Sequence, residues 1–104
     1  MPTRAALLAD INISKRAAGD LRRVWRHIAR DSETAADRLL MRIDRQIQTL
    51  ATSPQSGSLR GDIHTECRLL VVARYRILYE FDVLANVVNI VTVVEPYRDL
   101  SDIF

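Results

Sequence analysis

The sequence predicts an α+β fold in which an antiparallel helical hairpin packs on one face of a largely antiparallel sheet. Apolar residues recur at helical spacing through the first half of the chain and at strand spacing through the second half. A polar loop with Pro54 and Gly57, in the segment TSPQSGSLRG, separates the two halves. The 104 residues suit one domain, so we expect residues 1–104 to form a single unit.

The elements of the first half are a short strand and two amphipathic helices. Residues 7–13 alternate weakly in hydropathy and predict a strand that ends at Ser14, a residue suited to cap a helix. Helical spacing then continues until Asp31 and Ser32 interrupt it and offer a second cap. The apolar stripe of the first helix consists of Ala17, Leu21, Val24, Trp25 and Ile28, and that of the second consists of Ala36, Leu39, Leu40, Ile43, Ile47, Leu50 and Ala51.

The elements of the second half are strands. The segment ECRLLVVARYRILYEFD is rich in β-branched and aromatic residues and predicts two strands that turn at ARYR. The segment NVVNIVTVV predicts a buried last strand. We expect a three-stranded antiparallel sheet on the hairpin, extended by the N-terminal strand, with its other face open. Alternation on the second of these strands separates Tyr75, Ile77, Tyr79 and Phe81 from Arg76, Leu78 and Glu80.

The charge and cysteine content narrow the class of protein. The chain has 15 Lys and Arg residues against 13 Asp and Glu residues, and this net charge of +2 is too small to indicate nucleic acid or membrane by itself. The single cysteine, Cys67, excludes an internal disulfide, and no Cys/His cluster has the spacing of a metal site. Because no secretory signal or membrane helix is evident, we expect a cytoplasmic protein without metal or cofactor.

The cations are almost all arginine, since Lys15 is the only lysine. A genome rich in G and C would produce this bias, but arginine is also the cation suited to phosphate and carboxylate binding. The helical arginines are interpreted as a solvated face. They include Arg22, Arg23, Arg26, Arg38, Arg42 and Arg45.

Four arginines of the second half occupy positions where they could meet. Arg60 precedes the second predicted strand, Arg68 and Arg76 lie on adjacent strands, and Arg98 begins the C-terminal segment. If the hairpin register turns Arg68 and Arg76 to the open face, their guanidinium groups would surround one concavity and hold a phosphate or an acidic partner. The alternative is that each forms a surface ion pair, with Glu66, Glu80, Glu95 or Asp62.

The remaining candidate catalytic and metal-ligating residues have no partner residues at the spacing of a known motif. Neither a catalytic triad nor a glycine-rich phosphate loop can be assembled from the sequence. His27 and His64 lack a second ligand nearby, so His27 is interpreted as a surface or partly packed side chain. Cys67 opens an apolar strand and is interpreted as a small buried hydrophobe.

The order and spacing of several segments resemble a known family. These segments are AAGDLRRVWRHIARD, then LATSPQSGSLRGDI, RYRILYEF and VVNIVTVVEPYRDLSDIF. Together they cover about residues 11–104 and are similar to the RelE/ParE superfamily of toxins from type II toxin–antitoxin modules, which includes plasmid stabilisation proteins. The fold that this resemblance implies agrees with the fold predicted from hydrophobic periodicity.

The resemblance implies one of two activities. RelE-like members cleave messenger RNA in the ribosome with a cluster of lysines, arginines and a C-terminal tyrosine, whereas ParE-like members lack that set and inhibit DNA gyrase by binding. Arg76 and Arg98 match the arginines of the RelE pattern, but Phe104 stands at the position of the tyrosine and has no hydroxyl. The strand expected to present lysines has only Arg68, and arginine is a poor general base. These departures favour the ParE-like branch.

The favoured interpretation is a toxin without catalytic residues that inhibits DNA gyrase and is neutralised by a cognate antitoxin. The antitoxin would wrap the toxin along its sheet or helical hairpin, and operator DNA would be reached only through the antitoxin. The alternatives are a ribosome-dependent endoribonuclease and a degenerate member that binds only its antitoxin. The expected partner-binding residues are Arg60, Arg68, Arg76, Tyr97, Arg98 and Phe104.

Overall fold

The computed structural model describes residues 8–63 and 66–100. Within this part of the chain, two helices and five strands form the fold, which confirms the predicted α+β class. The helices are α1 (Lys15–Ala29) and α2 (Glu33–Thr49). The strands are β1 (Asp10–Ile13), β2 (Ser58–Leu59), β3 (Cys67–Val72), β4 (Tyr75–Asp82) and β5 (Val87–Val94). Neither helix is long and apolar enough to cross a membrane, as far as the described residues extend.

Serine hydroxyls fix the start of both helices. Ser14 Oγ accepts a hydrogen bond from the backbone N–H of Ala17 at 3.0 Å, as predicted for an N-cap. Ser32, and not its neighbour Asp31, caps α2 by accepting from the N–H of Ala35 at 3.1 Å. Both helices therefore begin where their sequence signals place them.

The sheet has the strand order β1-β5-β4-β3-β2. β1 runs parallel to β5, while the other neighbours are antiparallel. The predicted sheet had four strands, and the structure adds β2, a two-residue strand in the loop after α2. Ser58 pairs with Leu69 and Leu59 with Arg68. A pairing of this length leaves no period-2 pattern, so the sequence indicated only a loop there.

The main core lies between the helices and one face of the sheet. Ile77 and Tyr79 of β4 are fully buried in it, with Tyr75 and Phe81 packed against its margin. This confirms the predicted alternation along β4. Helix α2 contributes Ile43 to the same core, and burying a side chain of this size stabilises the fold by roughly 1.5–3 kcal/mol.

The other face of the sheet is covered in part, where the sequence predicted an open face. Cys67, Leu78 and Val94 form a second buried cluster there. Ile63 of the loop before β3 and Leu100 of the C-terminal segment pack against this cluster. Both segments leave the sheet and return over it, which strand periodicity cannot foresee.

A bulge in β5 is tied to the start of α1. Leu78 pairs with Thr92 while Tyr79 pairs with Ile90, so Val91 has no partner opposite it on β4. The Ser14 hydroxyl donates to the carbonyl of Val91 at 2.8 Å. The buried Asp20 carboxylate accepts from the Thr92 hydroxyl and, at 3.0 Å, from the backbone N–H of Val93. These bonds hold α1 against the end of β5.

Candidate partner-binding site

Arg60 forms an ion pair with Asp62 at the protein surface. Its Nε and Nη2 donate to the two carboxylate oxygens of Asp62 at 2.9 and 2.8 Å. The hydrogen bond to Arg60 lowers the pKa of the Asp62 carboxyl below its usual value. Of the two predicted possibilities for this arginine, the structure shows the ion pair.

Arg68 holds the loop that follows α2. Its Nη1 donates to the carbonyls of Gln55 and Gly57 at 2.9 and 2.8 Å. The register pairs Arg68 with Tyr79, so both side chains lie on the helix-facing side of the sheet. Arg68 is therefore a structural residue of the loop.

Arg76 lies on the opposite face and holds the C-terminal segment. Its Nη2 donates to the carbonyl of Glu95 at 2.7 Å and also to the carbonyl of Arg98. The β3–β4 register does not turn both Arg68 and Arg76 to the open face, as a shared concavity would require, because it places them on opposite faces of the sheet. Among residues 8–63 and 66–100, no cluster of these arginines forms on the second face.

Tyr97 and Arg98 remain accessible at the end of the sheet. Tyr97 is 78% exposed. Arg98 Nη1 lies 3.9 Å from Glu95 Oε2, at the outer limit of an ion pair. Phe104, the last predicted partner-binding residue, lies outside the described residues.

Cys67 has the role predicted for it. The side chain is completely buried in the second cluster. Burial also raises the pKa of its thiol above the ordinary value, so the reactive thiolate is disfavoured. Cys67 is a packing residue and not a nucleophile.

The structure adds a basic pocket that the sequence interpretation missed. It lies between the second half of α1 and the residues that follow β5, with a volume of about 450 Å³. Arg23, Arg26, His27 and Arg30 recur along α1 at i, i+3, i+4 and i+7, which places them on one side of the helix. The sequence contains this signal, but it led to the interpretation of Arg23 and Arg26 as part of a solvated face and of His27 as a surface or partly packed side chain. The other lining residues are Val24, Ile28, Tyr75, Glu95, Pro96 and Tyr97.

The chemistry of the basic pocket combines cations with a buried acid and two phenol rings. Glu95 is 8% exposed, and its Oε2 has no hydrogen-bond partner among the described residues. Burial, together with the nearby Glu95 and Tyr97, raises the pKa of the Tyr75 hydroxyl. The pocket thus offers positive charge at its rim, a hydrogen-bond acceptor and aromatic surface. No group of three metal-ligating side chains exists among residues 8–63 and 66–100.

The family comparison matches nearly the whole described chain. The model of the family described as the ParE toxin of type II toxin–antitoxin system, parDE, matches residues 11–99. No curated protein matches the sequence at a significant level.

Solved structures share the fold at low sequence identity. The chromosomal ParDE toxin–antitoxin system from P. aeruginosa matches with a TM-score of 0.72 and 16% identity, covering 85% of this chain and 96% of that chain. The intact E. coli RelBE toxin–antitoxin complex gives 0.62 and 18%, with 86% and 99% covered. A mutant of E. coli RelE in the free state gives 0.60 and 17%, with 86% and 85% covered.

Proposed function

Because the chain belongs to the ParE toxin family of type II toxin–antitoxin systems, we propose that it inhibits DNA gyrase by binding it and is neutralised by a cognate antitoxin. The observation that supports binding over RNA cleavage is that three arginines of the second half of the chain bind groups of the chain itself. Arg60, Arg68 and Arg76 each bind Asp62 or backbone carbonyls of this chain, and the Nε of Arg76 is buried. A surface nuclease would need such groups directed at the substrate.

The described tyrosines also lack the placement of a general base beside Arg76. Tyr79 is fully buried on the helix side, where its hydroxyl accepts from the N–H of Gly57 at 2.8 Å. Tyr75 lies on the same side and has a raised pKa, which makes its phenolate still scarcer at neutral pH. Tyr97 lines the basic pocket beside α1. These positions favour a toxin that acts by binding its target over one that cleaves RNA.

The C-terminal segment, residues 96–104, is the proposed centre of the contact with gyrase. Its described part presents Tyr97 and Arg98 at the surface. Exposed aromatic and arginine side chains are the residues that most often dominate the energy of a protein interface. Arg76 supports this role from beneath, because it fixes the carbonyls at both ends of residues 95–98.

An antitoxin has a separate surface available at the far edge of the sheet. The solved neighbours from P. aeruginosa and E. coli include toxin–antitoxin complexes. In this chain Leu59, Val83 and Leu84 are all more than half exposed, and Leu59 and Val83 line one shallow groove. A partner that covers these side chains would remove apolar surface from water, which supports neutralisation by a tightly bound protein.

Controlled expression in cells tests the proposed function. We expect production of the toxin alone to arrest growth and induce a DNA-damage response while transcripts stay intact, and co-expression of the antitoxin to restore growth. Cleaved transcripts without DNA damage would contradict gyrase inhibition and favour the endoribonuclease. Harmless expression of folded protein would instead favour a member that binds only its antitoxin.

A further inference from the structure

We propose that the basic pocket is a nucleotide-binding site that takes a phosphate on α1 and a base against Glu95 and Tyr97, with guanine as the preferred base. This inference goes beyond gyrase inhibition and does not rest on it. The pocket volume of about 450 Å³ lies within the ~300–1,000 Å³ typical of small-ligand sites.

The cations of α1 supply the phosphate-binding end. Arg26, His27 and Arg30 have no hydrogen-bond or ion-pair partner among the described residues, so their donors are available to a ligand. Arg23 forms an ion pair with Asp20 at 2.9 Å, which fixes the position of the first of these basic side chains along α1. Arginines that face a common cavity bind a phosphate through charge-assisted hydrogen bonds.

Charge around the pocket favours an anionic ligand. The helical hairpin, residues 15–49, carries nine of the Lys and Arg residues and only five Asp and Glu residues. The rest of the chain has more acids than bases, so the excess positive charge lies on the hairpin that forms one wall of the pocket. Such an excess raises the local concentration of anions.

Glu95 defines the other end of the ligand. Its carboxylate is buried, Oε2 has no hydrogen-bond partner among the described residues, and Arg98 Nη1 lies 3.9 Å from Oε2. A buried acceptor without a donor is costly, so a ligand that brings N–H groups to it is stabilised. Guanine presents two adjacent N–H donors on one edge, which suits a carboxylate.

The same residue argues against an acidic peptide as the occupant. A second carboxylate in the pocket would lie near Glu95 and be repelled, whereas a nucleotide separates its negative phosphate from its N–H donors. Tyr75 and Tyr97 add aromatic surface of the kind on which bases stack. The combined set of cations, acceptor and aromatic rings therefore matches a nucleotide.

Calorimetric titration of the purified full-length protein tests the site. We expect GMP to bind at one site per chain and AMP to bind more weakly, with inorganic phosphate and a glutamate-rich peptide weaker than either nucleotide. Peptide binding as tight as GMP binding would overturn the proposal in favour of a protein ligand. Equal binding of phosphate and GMP would also overturn it, since the base would then contribute nothing.

A single-stranded DNA hexamer with one guanine distinguishes two sources of the same chemistry. Tighter binding of the hexamer than of GMP supports a nucleotide within a strand as the natural ligand. Equal or weaker binding supports a free nucleotide.

Matched variants distinguish binding in the basic pocket from nonspecific attraction to the positive charge of the helical hairpin. The pair Arg26→Ala and Arg30→Ala should weaken GMP binding by about tenfold or more, while Arg38→Ala with Arg42→Ala, the same charge change on the exposed side of α2, should not. Equal losses would overturn the site. Glu95→Gln should reduce the preference for GMP over AMP by roughly tenfold, and an unchanged preference would overturn the assignment of the base.

Discussion

At Gly57 the backbone passes directly against the ring of Tyr79. The N–H of Gly57 donates to the Tyr79 hydroxyl, and a Cβ at this position would lie 2.7 Å from both Cε1 and Oη of that ring. It would also lie 2.9 Å from the carbonyl oxygen of Leu69. Both neighbours are part of the packed sheet and cannot move aside, so steric contact, and not backbone conformation, requires glycine here.

Gly57→Ala should lower the free energy of unfolding by about 1–3 kcal/mol, because the methyl group overpacks the site. Urea denaturation of the purified protein measures the change. Gly61→Ala is the matched control, since a Cβ there meets nothing within 4 Å. Equal stability of the two variants would contradict the close contact between Gly57 and Tyr79.

At the scale of the elements, the turn of the β3–β4 hairpin contains residues that disfavour its backbone conformation. Ala73 and Arg74 have φ values of 49° and 72°, in the left-handed region where residues with a Cβ are strained. Two-residue hairpin turns with two positive φ values favour Asn-Gly. The sequence placed the turn at ARYR correctly, but it gave no sign of this conformation, since neither residue is typical of it.

Replacing the turn by Ala73→Asn with Arg74→Gly should therefore stabilise the fold by roughly 1 kcal/mol, because relief of the left-handed strain outweighs the freedom that glycine adds to the unfolded chain. A thermal unfolding curve measures this as a rise in Tm. The replacement Arg74→Ala alone removes the same charge without relieving the positive φ, and it should give no rise. A lower Tm for the Asn-Gly variant would show that the turn is not strained.

The C-terminal segment depends on Arg76 for its position. The side chain of Arg76 reaches from β4 to the carbonyls of Glu95 and Arg98, and Leu100 packs on the second cluster nearby. We expect Arg76→Ala to increase hydrogen exchange in residues 95–100 while leaving α2 protected. Arg42→Ala, an exposed arginine on α2, serves as the control. Unchanged exchange in Arg76→Ala would contradict the anchoring role.

For the whole molecule, local patterns in the sequence predicted the elements and the main core. Ser14 begins α1, and the alternation along β4 places Ile77 and Tyr79 in the core, because each depends on residues close in sequence. The relation between Arg68 and Arg76 depends on which residues pair across the hairpin. A shift of one residue reverses the face of a side chain, and the sequence analysis placed the turn only within ARYR and did not define which residues pair across it.

The basic pocket was missed for a related reason. The spacing of Arg23, Arg26 and Arg30 in the sequence places them on one side of α1, and this predicts the helical part of the pocket lining. The other half comes from Glu95 and Tyr97, which reach α1 only because β5 ends beside it and the chain turns back. The fold joins these residues across about two thirds of the chain, so no local signal connects them.

Inhibition of DNA supercoiling by the purified toxin tests the central claim most directly. With purified gyrase, ATP and relaxed plasmid, we expect increasing toxin to abolish supercoiling, and addition of the cognate antitoxin to restore it. Full supercoiling at saturating, folded toxin would contradict the account that this ParE-family chain acts by binding gyrase.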